Sequence, residues 1–477
     1  MERRTEERVC VVGAGPAGLA MARALKVHGI AFEVFERHSA IGGIWDQSNP
    51  GSPIYNSTHF ISSKTQSNFL DFEMPDHYPD YPSHRQILAY LRAFARAYDL
   101  QSSIRFNTRV KHVAPRARGW SVRLSSGETL EYAWLVAASG ANWHPRMPHF
   151  AGAFTGESRH ASTYRSPEEF KSKRVLVIGA GNSGCDIACD IAQTAGAAFI
   201  SLRRGYHFIP KHVFGQPFDV FAAQGRHLPI WLSQFLLGRL LRALNGDLTR
   251  FGLKRPDHKV LESHPILNTQ ILHHLSHGNL IAKPHVGALD GDTVVFEDGT
   301  REPIDLLIHA TGYTWKLPYL EEGLVAWEGG RPDLYMKLFS REHPRLFVLG
   351  LFETNAAGYK VFDNMADLVA RAILAQRSRA EAHRLSEFMR TDKHDIGGGI
   401  HYVKSERHAG YVDYLAYLKQ VARLRKYMDW PSIVPGHYDH VSQPLDQHAT
   451  VVDRAPQSSG AVRLETWRRN GTGPPLA

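Results

Sequence analysis

The hydrophobic pattern opens with a short β-branched run, Arg8–Val12, that leads into a glycine-rich turn, Gly13–Gly18. Pro16–His28 then carries apolar Leu19, Ala20, Leu25 and Val27 at helical spacing and closes on Gly29. A second apolar run, Ala31–Phe35, completes a strand, turn, helix, strand pattern. The same order returns at Arg174–Ile178, Gly179–Gly184, Cys185–Thr194 and Ala197–Leu202. One βαβ pattern is thus used twice, far apart, as a duplication rather than a solenoid period. Between the copies, Ile104–Val113, Trp120–Leu124 and Tyr132–Ala138 read as strands, with a turn at Ser125–Glu128. Past the second copy, Tyr206–Asn279 is rich in Pro, His and Gly and reads as irregular, His273, His274 and His277 falling in a loop. It holds one amphipathic segment, Ile230–Leu244. Strand-to-turn signals follow at Asp305–Gly312 and Leu346–Gly350, and helices are predicted near Phe362–Ala375 and Tyr411–Tyr427. From Pro435 onward Pro, Gly, Gln and Ser dominate, and 435–477 is expected to be a disordered tail.

Composition narrows the class. The 477 residues are 43% hydrophobic and 22% charged, a globular balance with mass for several domains. The net charge of +9 suits anionic ligands such as nucleotide phosphates, but no basic block or binding motif argues for nucleic acid. Three cysteines, Cys10, Cys185 and Cys189, exclude a disulfide scaffold, and no CxxC occurs. Cys185 and Cys189, four apart on a helix, read as small hydrophobes, and no metal site is assigned. The charged start MERRTEER runs straight into a strand, so no leader is expected, and no apolar run is long enough to span a membrane. A cytoplasmic setting is the expectation.

The glycine turns carry the chemistry. In Gly13-Ala14-Gly15-Pro16-Ala17-Gly18 the first glycine permits the tight turn, the second admits a pyrophosphate and the third lets helix pack on strand. Glu36 ends the next strand, where a carboxylate bonds ribose hydroxyls and repels a 2′-phosphate. Gly179-Ala180-Gly181-Asn182-Ser183-Gly184 repeats the loop, but its second strand ends in Arg203-Arg204. Cations there fit the 2′-phosphate of NADPH; a solvated basic turn is the alternative. Two dinucleotide sites in one chain point to a flavin and a nicotinamide exchanging hydride.

Phe154-Thr-Gly156-Glu-Ser-Arg-His160-Ala-Ser-Thr-Tyr164 fits FxGxxxHxxxY and resembles the signature of class B flavin-containing monooxygenases. Gly42-Gly43-Ile44-Trp45, Ala138-Ser139-Gly140 and Ala310-Thr311-Gly312-Tyr313 agree with it over roughly 8–430. The related Baeyer–Villiger branch typically ends the signature with Trp and then Pro or Asp, where this chain has Tyr164-Arg165. The resemblance implies an α/β fold with two Rossmann-like domains. FAD is expected on 1–165 and 330–434, and NADPH on an inserted 166–329 with an irregular insert near 206–279. It implies O2 and a small organic substrate as partners, with oxygenation at nitrogen or sulfur through a flavin C4a-hydroperoxide. Baeyer–Villiger oxygenation, an NADPH oxidase releasing hydrogen peroxide and a non-catalytic flavoprotein stay open.

Within that resemblance Gly43 lets backbone pass the flavin, with Trp45 against it, and Thr311 and Gly312 end a strand near a cofactor. His160 ties the cofactors' positions together or is a satisfied structural histidine. Ser62-Ser63-Lys64 to Phe72 resembles the family's active-site segment, but Ile61 stands where the family commonly has Asn. Ile forms no hydrogen bond. His59 is the nearest substitute, with Asn56 and Asn68 as further candidates. Lys64 binds an anion near the cofactors or is simply solvated. Ile230–Leu244 covers a substrate tunnel, rests on a membrane surface or packs on the nicotinamide domain. A homo-oligomer is left open.

Overall fold

The computed structural model describes residues 7–225, 228–356 and 358–439. The first βαβ pattern becomes the centre of a seven-stranded sheet. Its strands run in the order Leu334–Tyr335, Phe339–Ser340, Leu346–Val348, Trp134–Ala137, Val9–Val12, Phe32–Phe35, Ile104–Arg105. Val9–Val12 is buried throughout and pairs in parallel with Phe32–Phe35 on one side and Trp134–Ala137 on the other. A central parallel strand is covered on both faces, which is why it reads as an unbroken apolar run.

The second pattern builds an all-parallel five-stranded sheet in the order Ile281–Lys283, Ala197–Ser201, Arg174–Ile178, Leu306–His309, Glu157–His160. The chain leaves the larger sheet after Ala137, builds this one, and returns to the larger at Leu334. The α/β class is as expected. Two smaller antiparallel sheets flank them: Val110–Arg116 with Gly119–Leu124 and Thr129–Tyr132, and Val286–Gly291 with Thr293–Phe296 and Arg301–Pro303. Ala151–Phe154 joins the latter sheet in parallel with Val286–Gly291.

Several element boundaries shift. The single strand expected over Ile104–Val113 is two, split where Asn107 takes a left-handed φ of 52°. The helix expected from Cys185 begins at Asn182 and ends at Ile191. The irregular stretch contains helices at Phe218–Gln224, Ile230–Asn245 and Gln270–Ser276, so His273 and His274 are helical and not in a loop. Helices at His84–Ala97 and Arg379–Thr391 were not anticipated, although the first buries Ile87, Tyr90, Leu91 and Phe94 at helical spacing and starts on a capping box, Ser83 with Gln86.

Helix Tyr359–Ala375 packs along Pro16–Val27 and brings two buried carboxylates with it. Asp363 accepts from Arg23 at 2.6 Å, with both side chains enclosed. Asp367 accepts from Arg371 and Arg425, each at 2.7 Å, and pairs with His28 at 2.8 Å. Despite burial, His28 and the two guanidinium groups hold the Asp367 carboxyl far below the ordinary carboxylate range. The start of the expected disordered tail is in fact fastened. Asp71 accepts from the amides of Gly436 and Tyr438 at 2.7 and 2.8 Å, and Tyr438 is buried under the Arg23 guanidinium. The remainder of that tail, and the start read as lacking a leader, lie outside the described residues. Among the described residues no helix is long and apolar enough to cross a membrane.

Candidate functional site

The two glycine loops are near copies in three dimensions. Gly13 and Gly179 take φ of +108° and +106°. A Cβ on Gly13 would lie 2.7 Å from the Ala138 carbonyl oxygen, and one on Gly179 would lie 2.6 Å from that of Ala310. Ala138-Ser139-Gly140 and Ala310-Thr311-Gly312 are thus the same feature of the two units, the turn after the neighbouring parallel strand. At the third glycine a Cβ would meet the first glycine's carbonyl oxygen, at 1.8 Å for Gly18 and 2.0 Å for Gly184. Protein backbone forces glycine at all four positions.

The middle glycines differ. A Cβ on Gly15 would meet only Gly43, its Cα at 3.5 Å and its N at 4.0 Å, and one on Gly181 only the Arg407 Nη1 atom at 3.9 Å, all in ordinary contact. Nothing in the protein demands glycine there. The space each would fill opens on the cavity at a helix N-terminus, which fits the diphosphate of a bound dinucleotide. Gly43, with φ +58°, lies over the first loop, where its own Cβ would come 3.0 Å from Gly15 Cα.

The strand ends set the electrostatics. Glu36 is buried; its carboxylate accepts from the Ala14 amide and the His38 amide, both at 2.8 Å. Acid and loop are therefore one rigid piece. In the second unit Leu202 stands where the register puts Glu36 in the first, and the next residues, Arg203 and Arg204, are exposed and half-buried, with no ion pair fixing either among the described residues. Ser183 is exposed at the second loop, whereas Asn182 is spent on the Pro265 carbonyl and the Leu267 amide.

Both loops open on one cavity of about 2440 Å³. Gly13, Gly15, Glu36, Gly43 and Trp45 line it from one side; Gly179, Gly181, Ser183, Gly184, Arg203, Arg204, Thr311 and Gly312 line it from the other. Gly18 is packed behind its loop. Trp45 meets the Phe60 ring edge-on at 5.1 Å.

His59 and Ile61 also line this cavity, and Ile61 is 38% exposed to it. The His59 Nδ1 donates to the Ser57 carbonyl at 2.8 Å, which leaves Nε2 open. The segment carrying them is tied to the helix of the second loop. Tyr55 donates to Asp186 at 3.0 Å, and Ser57 and Tyr164 donate to Asp190. Burial raises the pKa of both carboxyls.

Other expectations are corrected. Lys64 does not line the cavity: its ammonium donates to the carbonyls of Asp76 and Tyr78, each at 2.7 Å, and so pins a loop. Asn56 and Asn68 are off the cavity as well. His160 lines the cavity with both ring nitrogens satisfied. Its Nδ1 accepts from the Ser162 amide and its Nε2 donates to the Gly312 carbonyl, both at 3.0 Å. Burial lowers its pKa, which keeps it neutral. The helix Ile230–Asn245 presents Ile230, Ser233, Leu236 and Leu237 to the cavity, so it covers it, yet Trp231 and Phe235 remain exposed.

The sequence reading missed a group from distant segments: Arg146, Arg331, Glu353 and Arg407 all line the cavity. None of them belongs to a recognisable motif, and they come from segments far apart in sequence, so no local signal marks them.

A family model described as "Flavin-binding monooxygenase-like" matches residues 6–431. Flavin-containing monooxygenase 5 of Homo sapiens is 32% identical over 458 residues, covering 88% of this chain and 83% of that protein. Dimethylaniline monooxygenase [N-oxide-forming] 2 of Rattus norvegicus is 33% identical over 374 residues, covering 73% and 69%. Among solved structures, an oxidized steroid monooxygenase bound to NADP shares the fold at a TM-score of 0.65 and 20% identity, covering 88% and 98%. The chain belongs to the flavin-binding monooxygenase-like family and is a flavin-dependent monooxygenase.

Proposed function

Starting from that membership, we propose that the chain is an FAD- and NADPH-dependent monooxygenase that oxygenates a small organic substrate at nitrogen or sulfur. FAD takes the first glycine loop and NADPH the second, so that the second unit is a nicotinamide domain inserted into the flavin domain. The observation that carries this reading is the single cavity on which both loops open. A hydride donor and acceptor held on separate loops exchange only within one enclosed space. An N-oxide-forming relative at 33% identity favours nitrogen, and Tyr164 in place of the usual Trp argues against the Baeyer–Villiger branch.

The flavin, when bound, supplies the hydride acceptor and the activation of O2. The chain's own residues orient and exclude. Glu36, fixed by two amides, accepts the ribose hydroxyls of FAD and rejects a 2′-phosphate by charge. Arg203 and Arg204 attract that phosphate at the second site. Asp186 and Asp190 hold the segment bearing His59 and Ile61 against the nicotinamide side of the cavity. The helix Ile230–Asn245 covers part of the cavity.

A second reading, an NADPH oxidase releasing hydrogen peroxide, is favoured by Ile61 at the cavity wall, where no hydrogen bond is offered. One assay separates the two: NADPH consumed against hydrogen peroxide released, with a tertiary amine, a thioether and a ketone. The monooxygenase reading expects peroxide to fall well below NADPH with the amine or the thioether. Peroxide equal to NADPH with all three supports the oxidase, and lactone or ester formation from the ketone alone supports Baeyer–Villiger chemistry.

A further inference from the structure

A cation from the far end of the chain sits at the second glycine loop. The short turn Glu406–His408 carries it, more than 200 residues beyond the loop it faces. The Arg407 Nη1 atom is the protein atom nearest the space that a Cβ on Gly181 would fill, 3.9 Å away. Glu353 takes the Nε–H of this guanidinium. The donors on Nη1 and Nη2 have no other hydrogen bond among the described residues, and the side chain is 41% exposed to the cavity.

The turn is built, not draped. The His408 Nε2 accepts from the His264 amide at 2.9 Å, and His264 pairs with the Tyr411 hydroxyl at 2.7 Å. Tyr411 in turn donates to the Thr354 carbonyl at 2.9 Å, and Glu406 pairs with Arg146 at 2.6 Å. Burial, with Arg407 and Arg204 nearby, pushes the His408 pKa down to about 4, so the imidazole stays a neutral acceptor. A fork of two free N–H donors held on a fixed turn matches two oxygens of a phosphate.

We propose that Arg407, held by Glu353, binds the diphosphate of the nicotinamide dinucleotide, while Arg203 and Arg204 bind its ribose 2′-phosphate. This rests on the reading that the second loop holds NADPH. The division of labour follows from position: Arg407 faces the middle glycine, which admits the diphosphate, and the arginine pair follows the second strand, where the ribose lies.

The test is equilibrium binding to the flavin-loaded protein of NADP+, NAD+ and 2′-AMP, the last having a 2′-phosphate but no diphosphate. Arg407→Gln is expected to weaken NADP+ and NAD+ by the same factor, about tenfold or more, and to leave 2′-AMP unchanged. Arg407→Lys is expected to fall between, because charge is kept and the fork is lost. Removing Arg203 and Arg204 is expected to weaken NADP+ and 2′-AMP and to spare NAD+. An Arg407→Gln variant that keeps its flavin and binds NADP+ within twofold of wild type overturns the proposal. So does equal weakening of 2′-AMP, which would place the arginine on the ribose phosphate. If Arg407→Gln loses its flavin, Arg407→Lys decides on the same ligands, wild-type NADP+ affinity overturning the role. Wild-type protein that binds neither NADP+ nor 2′-AMP refutes the reading of the loop, and this proposal with it.

Discussion

The two βαβ units share a backbone and differ in what surrounds it. In both, the first and third glycines are dictated by carbonyl oxygens under 3 Å from where a Cβ would stand. In the first unit the strand after the helix ends in an acid that is welded to the loop through the Ala14 amide. In the second it is followed by Leu202 and then by two arginines that no ion pair restrains among the described residues. The strand neighbouring each loop differs too: by register Ala137 stands opposite Val12, and His309 stands opposite Ile178. On the proposed reading, the loop specifies that a dinucleotide binds, and the residues beyond it specify which one. A duplicated fold keeps its scaffold while its charges diverge.

The largest effect tests the shared part. Gly18→Ala and Gly184→Ala each push a methyl into backbone at 2 Å or less. Both are expected to cost more than about 3 kcal/mol and to yield little folded, flavin-loaded protein, read as soluble yield and flavin absorbance. A normal yield from either variant breaks the equivalence of the two units.

The next test addresses the diverged part. Replacing Arg203 and Arg204 by Gln is expected to raise the KM for NADPH by a loss of about 1.5–3 kcal/mol, with a smaller effect on NADH. Equal effects on the two coenzymes mean that the pair does not read the phosphate.

A pH difference follows from His309. Burial pushes its pKa down to about 4, below the ordinary value of 6.5. The unfolded state therefore takes up the proton first, and stability drains away as pH falls from about 6.5 to about 4. The contribution is on the order of 3 kcal/mol. His309→Ala, which restores the residue of the first unit, is expected to flatten the fall of the thermal midpoint over that window. An unchanged slope removes His309 as its source.

The smallest expected shift concerns the middle glycines. Gly15→Ala and Gly181→Ala meet only ordinary contacts, so each is expected to move the stability of the unliganded protein by no more than about 1 kcal/mol. Each is nonetheless expected to weaken one cofactor, FAD for Gly15 and NADP+ for Gly181. Crossed or equal losses contradict the assignment of loops to cofactors.

Much of this was legible because it is local. Both glycine loops, Glu36 and the Arg203-Arg204 pair follow from short spacings in a βαβ unit, and the α/β class follows from their repetition. Lys64 was misread because a lysine's role depends on which carbonyls it meets, here those of residues 12 and 14 positions on. Arg407 was invisible because its significance comes from a turn folded back across the molecule. Within 206–279 the amphipathic segment Ile230–Leu244 was legible, whereas the helices Phe218–Gln224 and Gln270–Ser276 were missed because Pro, Gly and His interrupt the pattern on either side of short apolar runs. The equivalence of Ala138–Gly140 with Ala310–Gly312 needed the register, since the two turns lie 172 residues apart in sequence.

The account's central claim is that two unlike loops face one cavity so that hydride passes between their ligands. Its most direct test is anaerobic rapid mixing of the flavin-loaded protein with NADPH or NADH, followed by loss of the yellow flavin absorbance. The account predicts bleaching that is fast and saturable with NADPH, much weaker with NADH, and lost in affinity in Gly181→Ala. A flavin that stays oxidised in the presence of saturating NADPH would contradict it.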